Sequence, residues 1–349
     1  MTESLFFTIF IAFVAIMLAL DLGVFHKKDS IISFKEALTW TGIWIGVSLL
    51  FYVFLLLHGE WVHGIHDMQG LWDYKGQYGH QFPLNELLPY EENLHAFRKA
   101  ISLEFLTGYL IEKSLSLDNI FVMLLIFLSF KVEPKYYHRV LFYGILGAIV
   151  LRFVFIFLSA TLIQNFHWIL LVFGGFLVYT GVKMFFEKKG EETIDVEKHP
   201  VVRFLSKRKL VSPNFHGHKF FIKENGKRMF TPLFVVLIII ECSDVIFAVD
   251  SIPAIFSVTE DPFIVFFSNI FAILGLRSLF FVLQSVMDKF VYLKIGLAFL
   301  LSFIGVKMIL PFINEAWHIP TTASLFIILG ILVFSIVGSI LFSPKEQAK

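Results

Sequence analysis

The chain has 349 residues, 57% of them hydrophobic and 16% charged, with a formal net charge of +1. A soluble domain carries about 25% charged residues, and the mean hydropathy here is +0.77. These values exclude a soluble globular enzyme, a disordered chain and a nucleic-acid binder, and they point to an all-α polytopic membrane protein.

Crossing the hydrocarbon as a helix takes about 20 mostly apolar residues. Nine runs qualify: 4–25, 36–58, 103–130, 139–164, 167–186, 232–257, 262–286, 290–311 and 322–343. Such long unbroken runs are unlike the short alternating strands of a membrane barrel. The first run opens on Met1-Thr2-Glu3, acidic rather than basic, and has no clear small-residue cleavage site, so it is expected to stay as a membrane helix.

Charge in the connections sets the orientation. Basic residues gather after the first run (Lys27, Lys28, Lys35), after the third (Lys131, Lys135, Arg139), and in 187–231, which holds eleven Lys/Arg including Arg203, Lys207, Arg208 and Lys209. Lys289 and Lys294 precede the eighth run, and Lys345 and Lys349 lie in the tail. With nine spans all of these share one side, so the N-terminus is expected outside and the C-terminus inside. The opposite side carries 59–102, with Glu60, Asp67, Asp73, Glu86, Glu91 and Glu92 against Lys75, Arg98 and Lys99, and the turns at 164–167, 259–262 and 312–321, which lack Lys and Arg.

The third to fifth runs resemble the sixth to eighth. Gly181-Val182-Lys183-Met184 recurs as Gly305-Val306-Lys307-Met308, and Leu151-Arg152 as Leu276-Arg277; Glu112 and Asp118 share the spacing of Asp244 and Asp250. Three ordered matches indicate two three-helix repeats, and an odd number of spans per repeat makes them inverted, an architecture recurrent in transporters. The organisation is then 1–102 (two spans and an extracytoplasmic loop), 103–186 (first repeat), 187–231 (basic cytoplasmic loop), 232–311 (second repeat) and 312–349 (last span and tail).

The first helix of each repeat carries acids inside apolar sequence: Glu112 and Asp118 in one, Glu241, Asp244 and Asp250 in the other. Each acid at a helix centre costs roughly 2.5–3.5 kcal/mol on insertion scales, a burden packing does not explain and ion binding does. Arg152 and Arg277, the arginines deep in apolar spans, are candidate counter-charges, with Lys113 beside Glu112, but two central cations do not neutralise five carboxylates. With Asn119, Ser116, Ser243 and Ser251 the acids form a hard oxygen set suited to Mg2+, Ca2+ or Mn2+. Asp244 and Asp250 differ by about 120° on a regular helix, so a break near Val249–Ser251, aided by Pro253, would bring them together. Asp21 and Glu104 read as satisfied charges at helix ends, with a gate residue as the alternative for Asp21, and His63 and His66, three apart, as ordinary surface histidines or a transition-metal pair. The single Cys242 forms no disulfide within the chain and reads as a small packing residue.

Glu112-Lys113-Ser114-Leu115-Ser116-Leu117-Asp118-Asn119, the run from Glu241 through Ser251-Ile252-Pro253-Ala254 to Leu276-Arg277-Ser278, and Ala19-Leu20-Asp21-Leu22-Gly23 resemble the TerC/Alx integral membrane proteins over most of 1–315. The resemblance implies Mn2+ export from the bacterial cytoplasm across the inner membrane, with older members named for tellurium resistance. It places the acidic metal site at Glu112, Asp118, Glu241, Asp244 and Asp250, with Asn119 and Ser251 as weaker candidates and Ser116 beside them. Mn2+ is then cargo rather than a tightly bound cofactor, exchanged with protons or carried alone. The segment 59–102 is an insertion-like departure. The rival to a secondary transporter is a membrane scaffold that couples metal supply to exported or membrane partners. An intramembrane enzyme lacks its motifs, neither HExxH nor GxGD being present.

Overall fold

A backbone surrounded by hydrocarbon has to satisfy its own N–H and C=O groups, so long apolar runs become helices. The computed structural model describes all residues except 1, 26–32, 79–83, 167, 187–210, 213, 225–226, 287–292, 315–316, 318 and 342–349. Lys27, Lys28, His80, Arg203, Lys207, Arg208, Lys209, Lys289, Glu315, Lys345 and Lys349 lie outside the described residues, as do the side chains of Asp118 and Lys294.

Helices α1 (Glu3–Phe25) and α2 (Phe34–His58) match the first two runs, and α3 (Met68–Tyr78) lies in the connection that follows. The third run is part of α4 (Tyr90–Ser129), which starts thirteen residues before the expected 103. At 40 residues and a rise of 1.5 Å per residue, α4 is about 60 Å long, twice a hydrocarbon core, so part of 59–102 is helical and continuous with the third apolar run. Helices α5 (Tyr137–Asn165), α6 (Ile169–Phe186) and α7 (Pro232–Phe256) follow. A short antiparallel hairpin, β1 (Phe221–Glu224) and β2 (Lys227–Phe230), precedes α7, a local exception to the all-α expectation. The run 262–286 is two helices, α8 (Pro262–Leu274) and α9 (Leu276–Val286), and α10 (Leu293–Ile313) and α11 (Thr321–Leu341) complete the chain.

Among the described residues seven helices are long and apolar enough to cross a membrane, or eight if the bent α8–α9 pair forms one span. Helix α4 is not counted among them; it carries Glu104, Glu112, Lys113 and Asp118 within the stretch expected to cross.

The expected break in α7 is absent. Helix α7 runs unbroken through Val249 and Ser251, with Pro253 in its last turn, where the lost backbone bond disturbs little. The break lies instead at Gly275, where α8 and α9 meet at 46°.

Helix α4 packs against α7 and α8, α5 against α7, and α6 against α10. The α6–α10 crossing explains both glycines of the recurring tetrapeptide. A Cβ on Gly305 would sit 2.6 Å from the Gly174 carbonyl and 2.7 Å from the Val178 nitrogen, and one on Gly181 would sit 2.7 Å from the Ala298 carbonyl. Such backbone proximity is how membrane helices associate where burial of apolar area gives no drive. Phenylalanines fill the space between α1, α2, α4 and α8: Phe10 meets Phe267 at 4.3 Å between ring centroids, and Phe51 meets Phe271 at 4.7 Å.

Gly305→Leu is expected to lower the thermal unfolding midpoint in detergent, at a cost of about 1–3 kcal/mol or more. Gly330→Leu, where a Cβ has open space, should leave the midpoint near that of the wild type.

Candidate functional site

Residues 112, 116 and 119 fall on one stripe of α4, since offsets of four and seven return to the same helix face. Glu112, Ser116 and Asn119 are all buried there. Helix α7 presents Asp244 to the same space, α5 supplies Arg152, and α8 supplies Asn269. Arg152 is buried and joins all three neighbours. Its Nη1 donates to Glu112 Oε1 and to Asn269 Oδ1 at 2.7 Å; Nη2 donates to Asp244 Oδ1 at 3.1 Å and Nε to Oδ2 at 3.4 Å. Asn119 Nδ2 donates to Asp244 Oδ1 at 2.9 Å, and Ser116 Oγ lies 3.5 Å from Glu112 Oε1. A planar five-donor guanidinium between two carboxylates suits this fork geometry.

The structure therefore joins Glu112, Asp244, Asn119, Ser116 and Arg152. Glu241 lies one turn before Asp244 and turns toward α5, where a Cβ on Gly147 would collide with its carboxylate. Asp250 faces the other way, 3.5 Å from Thr180 Oγ1 on α6, at a cavity of about 160 Å³ lined also by Leu115, Lys183 and Leu301. Ser251 is buried. Asp118 belongs to α4, its side chain outside the described residues. Among the described residues no three His, Cys, Asp or Glu side chains converge closely enough to hold a metal. Several buried oxygens nevertheless accept no hydrogen bond from the described residues: Glu112 Oε2, Asn119 Oδ1, Glu241 Oε2 and Ser251 Oγ. Buried polar atoms are seldom left so, and acceptor oxygens are what a hard cation takes.

Two cations are engaged elsewhere. Arg277 pairs with Asp21, Nη2 to Oδ2 at 2.5 Å, and the same nitrogen donates to the Asp21 carbonyl at 2.8 Å. Asp21 is thus a buried charge satisfied across helices, from α1 to α9. Lys113 turns from Glu112 and donates to the Ala272 carbonyl at 3.1 Å, in the last turn of α8. A cation there offsets the negative end of the helix dipole at the break.

Asn269 and Gly147 were not singled out by sequence reasoning. The signal for Asn269 is an amide in an otherwise apolar run, eight residues before Arg277.

Outside the spans, His63 is neither solvated nor paired with His66. Its Nε2 lies 2.7 Å from Asp261 Oδ2 and its Nδ1 3.1 Å from Glu3 Oε2. Asp261 also accepts from Tyr74 Oη at 3.0 Å and caps α8 through the Phe263 N–H at 2.9 Å. Arg98 of α4 holds Glu60 bidentately at 2.6 and 2.7 Å. Burial pulls the His63 imidazolium down, but the Asp261 and Glu3 carboxylates together outweigh it and push the pKa up to about 9.

Residues 97–347 match the family described as integral membrane protein TerC family. An "Uncharacterized membrane protein STKORF319" of Myxococcus xanthus is 45% identical over 335 residues, covering 96% of this chain and 91% of the relative. A "Putative membrane-bound redox modulator Alx" of Escherichia coli (strain K12) is 44% identical over 94% of this chain and 92% of its own. An "Uncharacterized membrane protein" of Rickettsia felis is 39% identical over 95% of this chain and 96% of its own. No solved structure matches the chain significantly.

Two outcomes are expected. Arg152→Gln leaves two buried carboxylates without their cation and should cost about 3–5 kcal/mol of stability; adding Glu112→Gln and Asp244→Asn should recover most of it in thermal unfolding. The His63 pairing has a folded pKa of about 9 against 6.5 unfolded, so its stabilisation is complete below pH 6.5 and lost as pH rises through 9. The midpoint difference between wild type and His63→Gln should shrink across that window.

Proposed function

The chain belongs to the integral membrane protein TerC family, and on that footing we propose that it exports Mn2+ across the bacterial cytoplasmic membrane. The observation that carries this reading is the oxygen cluster of Glu112, Asp244, Asn119 and Asn269 on three helices, α4, α7 and α8, held around one guanidinium from α5. Glu241 extends the acids one turn along α7 toward its N-terminal end, and Asp250 lines a second, separate acidic cavity against α6. Mn2+ is cargo here, not a resident cofactor, and the protein is a carrier rather than an enzyme.

In this reading Arg152 is the counter-charge of the empty site. With both carboxylates ionised, Glu112 and Asp244 exceed Arg152 by one negative charge. A divalent cation displaces the guanidinium, engages the acceptors left without donors, and is released when protons or Arg152 return. Coupling to protons follows from competition for the same oxygens.

The reading has nine spans, with α4 as the charged one and α8–α9 as a broken one, the N-terminus outside and the C-terminus inside. Helices 103–186 and 232–311 form inverted repeats. The packing supports this: α4 on α8 is matched by α7 on α5, and α6 crosses α10 at the paired glycines. An exchange of the two repeats turns each of these contacts into the other. Carriers of this build hold their site between the repeats, and the meeting of Glu112 on α4 with Asp244 on α7 through Arg152 supports that placement.

The relatives named as redox modulators raise a different chemistry. Dithiol exchange needs a second thiol, and Cys242 is the one cysteine of the chain. A redox effect would then follow from a change in cellular metal.

Mn2+ flux into proteoliposomes containing the purified protein tests this reading. Wild type should move Mn2+, and Asp118→Asn, Asp244→Asn and Asp250→Asn, each verified as folded, should abolish flux. No flux by folded wild type in either orientation overturns it.

A further inference from the structure

Arg152 is engaged on Glu112 and Asp244, but Glu241, one turn before Asp244 on α7, has no such partner among the described residues. Its Oε2 is buried and accepts no hydrogen bond from them. What holds this carboxylate in place is a missing side chain on α5. The three atoms nearest to a Cβ built on Gly147 are Oε1, Oε2 and Cδ of Glu241, all too close for a methyl group to be added. Helix α5 therefore meets α7 at two levels: Arg152 bonds Asp244, and the bare backbone of Gly147 receives Glu241.

Gly147 differs from the glycines of the α6–α10 crossing. A Cβ on Gly181 or Gly305 would run into the backbone of the facing helix, so those glycines serve helix approach. At Gly147 it would run into a carboxylate. Gly144, one turn earlier on α5, is no such slot: the nearest atom to its Cβ, Ile240 Cγ2, lies at 3.6 Å, an ordinary contact. Glycine weakens a helix interior relative to alanine, so its use at 147 calls for a reason, and the carboxylate supplies one. The recurring sequence agrees. Aligned on Arg152 and Arg277, Gly147 matches Ala272; aligned on Glu112 and Asp244, Glu241 matches Tyr109. The α5–α7 contact has an acid and a glycine, whereas the equivalent α4–α8 positions have neither.

We propose that Gly147 is a positioning residue for the metal: by leaving the α5 face bare it holds the Glu241 carboxylate between α5 and α7, one turn from Asp244, where the unbonded Oε2 takes part in capturing the cation. This rests on the transporter reading and deepens it. Glu112 and Asp244 exceed Arg152 by one negative charge. With Glu241 ionised beside them the excess is two, the charge that one divalent cation cancels and one monovalent cation does not. A methyl group at 147 leaves the helix packing in place but turns the carboxylate out of the contact, so the loss falls on cation binding rather than on the fold.

The test is the concentration dependence of Mn2+ flux in proteoliposomes containing the full chain, beside thermal unfolding in detergent. Gly147→Ala should raise KM for Mn2+ about tenfold, with maximal flux within about twofold of wild type and an unchanged unfolding midpoint. Gly144→Ala should leave all three as they are. Glu241→Ala should raise KM to a similar extent, and adding Gly147→Ala to it should raise KM no further, because the carboxylate that the methyl group displaces is gone. A glycine that serves only helix packing predicts otherwise: wild-type KM in Gly147→Ala, or penalties that multiply in the double variant. Either result overturns the proposal, as does wild-type KM in Glu241→Ala. Should Gly147→Ala fail to fold, the double variant should still fold as Glu241→Ala does and share its raised KM; a double variant that also fails to fold overturns the proposal. Folded wild type that moves no Mn2+ would sink the transporter reading itself, a result distinct from these.

Discussion

A single guanidinium between two carboxylates governs the interior of this protein. Arg152, Glu112 and Asp244 are all buried, and they come from three different helices. Three charges removed from water have to satisfy each other, because the desolvation of each is worth several kcal/mol. That requirement fixes the approach of α4, α5 and α7 and the rotation of each about its axis. It also explains the two amides at the cluster: Asn119 donates to Asp244, and Asn269 accepts from Arg152 while its own amide nitrogen bonds the Val265 carbonyl. Carboxylates saturated by arginine alone would need no such company.

The rest of the packing makes this arrangement tolerable. Gly147 leaves room for the Glu241 carboxylate against α5, and Gly305 and Gly174 let α10 and α6 touch through their backbones. Lys113 shows the same economy of charge. It sits beside Glu112 in sequence, yet it serves the carbonyl end of α8, where the Gly275 break exposes groups that a continuous helix would have bonded. Asp261 caps the other end of α8 and also takes the His63 and Tyr74 hydrogen bonds, so both ends of this short helix are fixed by side chains from elsewhere in the chain.

The expected spans follow apolar run length alone, and most helices lie within a few residues of them, because hydrocarbon leaves the backbone little alternative. Helix α4 departs at its start because its first turns are polar and carry Arg98, so hydropathy gave no reason to extend it. Residue spacing showed that Asp244 and Asp250 point apart, and they do; the inferred remedy, a break near Val249–Ser251 aided by Pro253, was misplaced because proline in a last turn disturbs little. Which acids meet which cations was not legible. Asp21 and Arg277 lie 256 residues apart, His63 and Asp261 lie 198 apart, and no local pattern encodes such pairs. The repeat was the one long-range signal in the sequence, and it singled out both arginines without saying that they have different partners.

That difference bears on how a charged site crosses a membrane empty. On the proposed reading, a carrier that returned with Glu112 and Asp244 bare would expose two buried anions to low dielectric, and the return step would be slow. A resident arginine lowers that penalty in the same place that the cargo does, so the loaded and empty sites differ in charge by one unit rather than two. Arginine suits the role better than lysine: its guanidinium stays charged when buried, it spans both carboxylates at once, and it leaves Glu112 Oε2 and Asn119 Oδ1 without a donor. Those atoms set the direction of exchange. A divalent ion that reaches them gains contacts the guanidinium never had, and its binding is therefore more than the replacement of one cation by another.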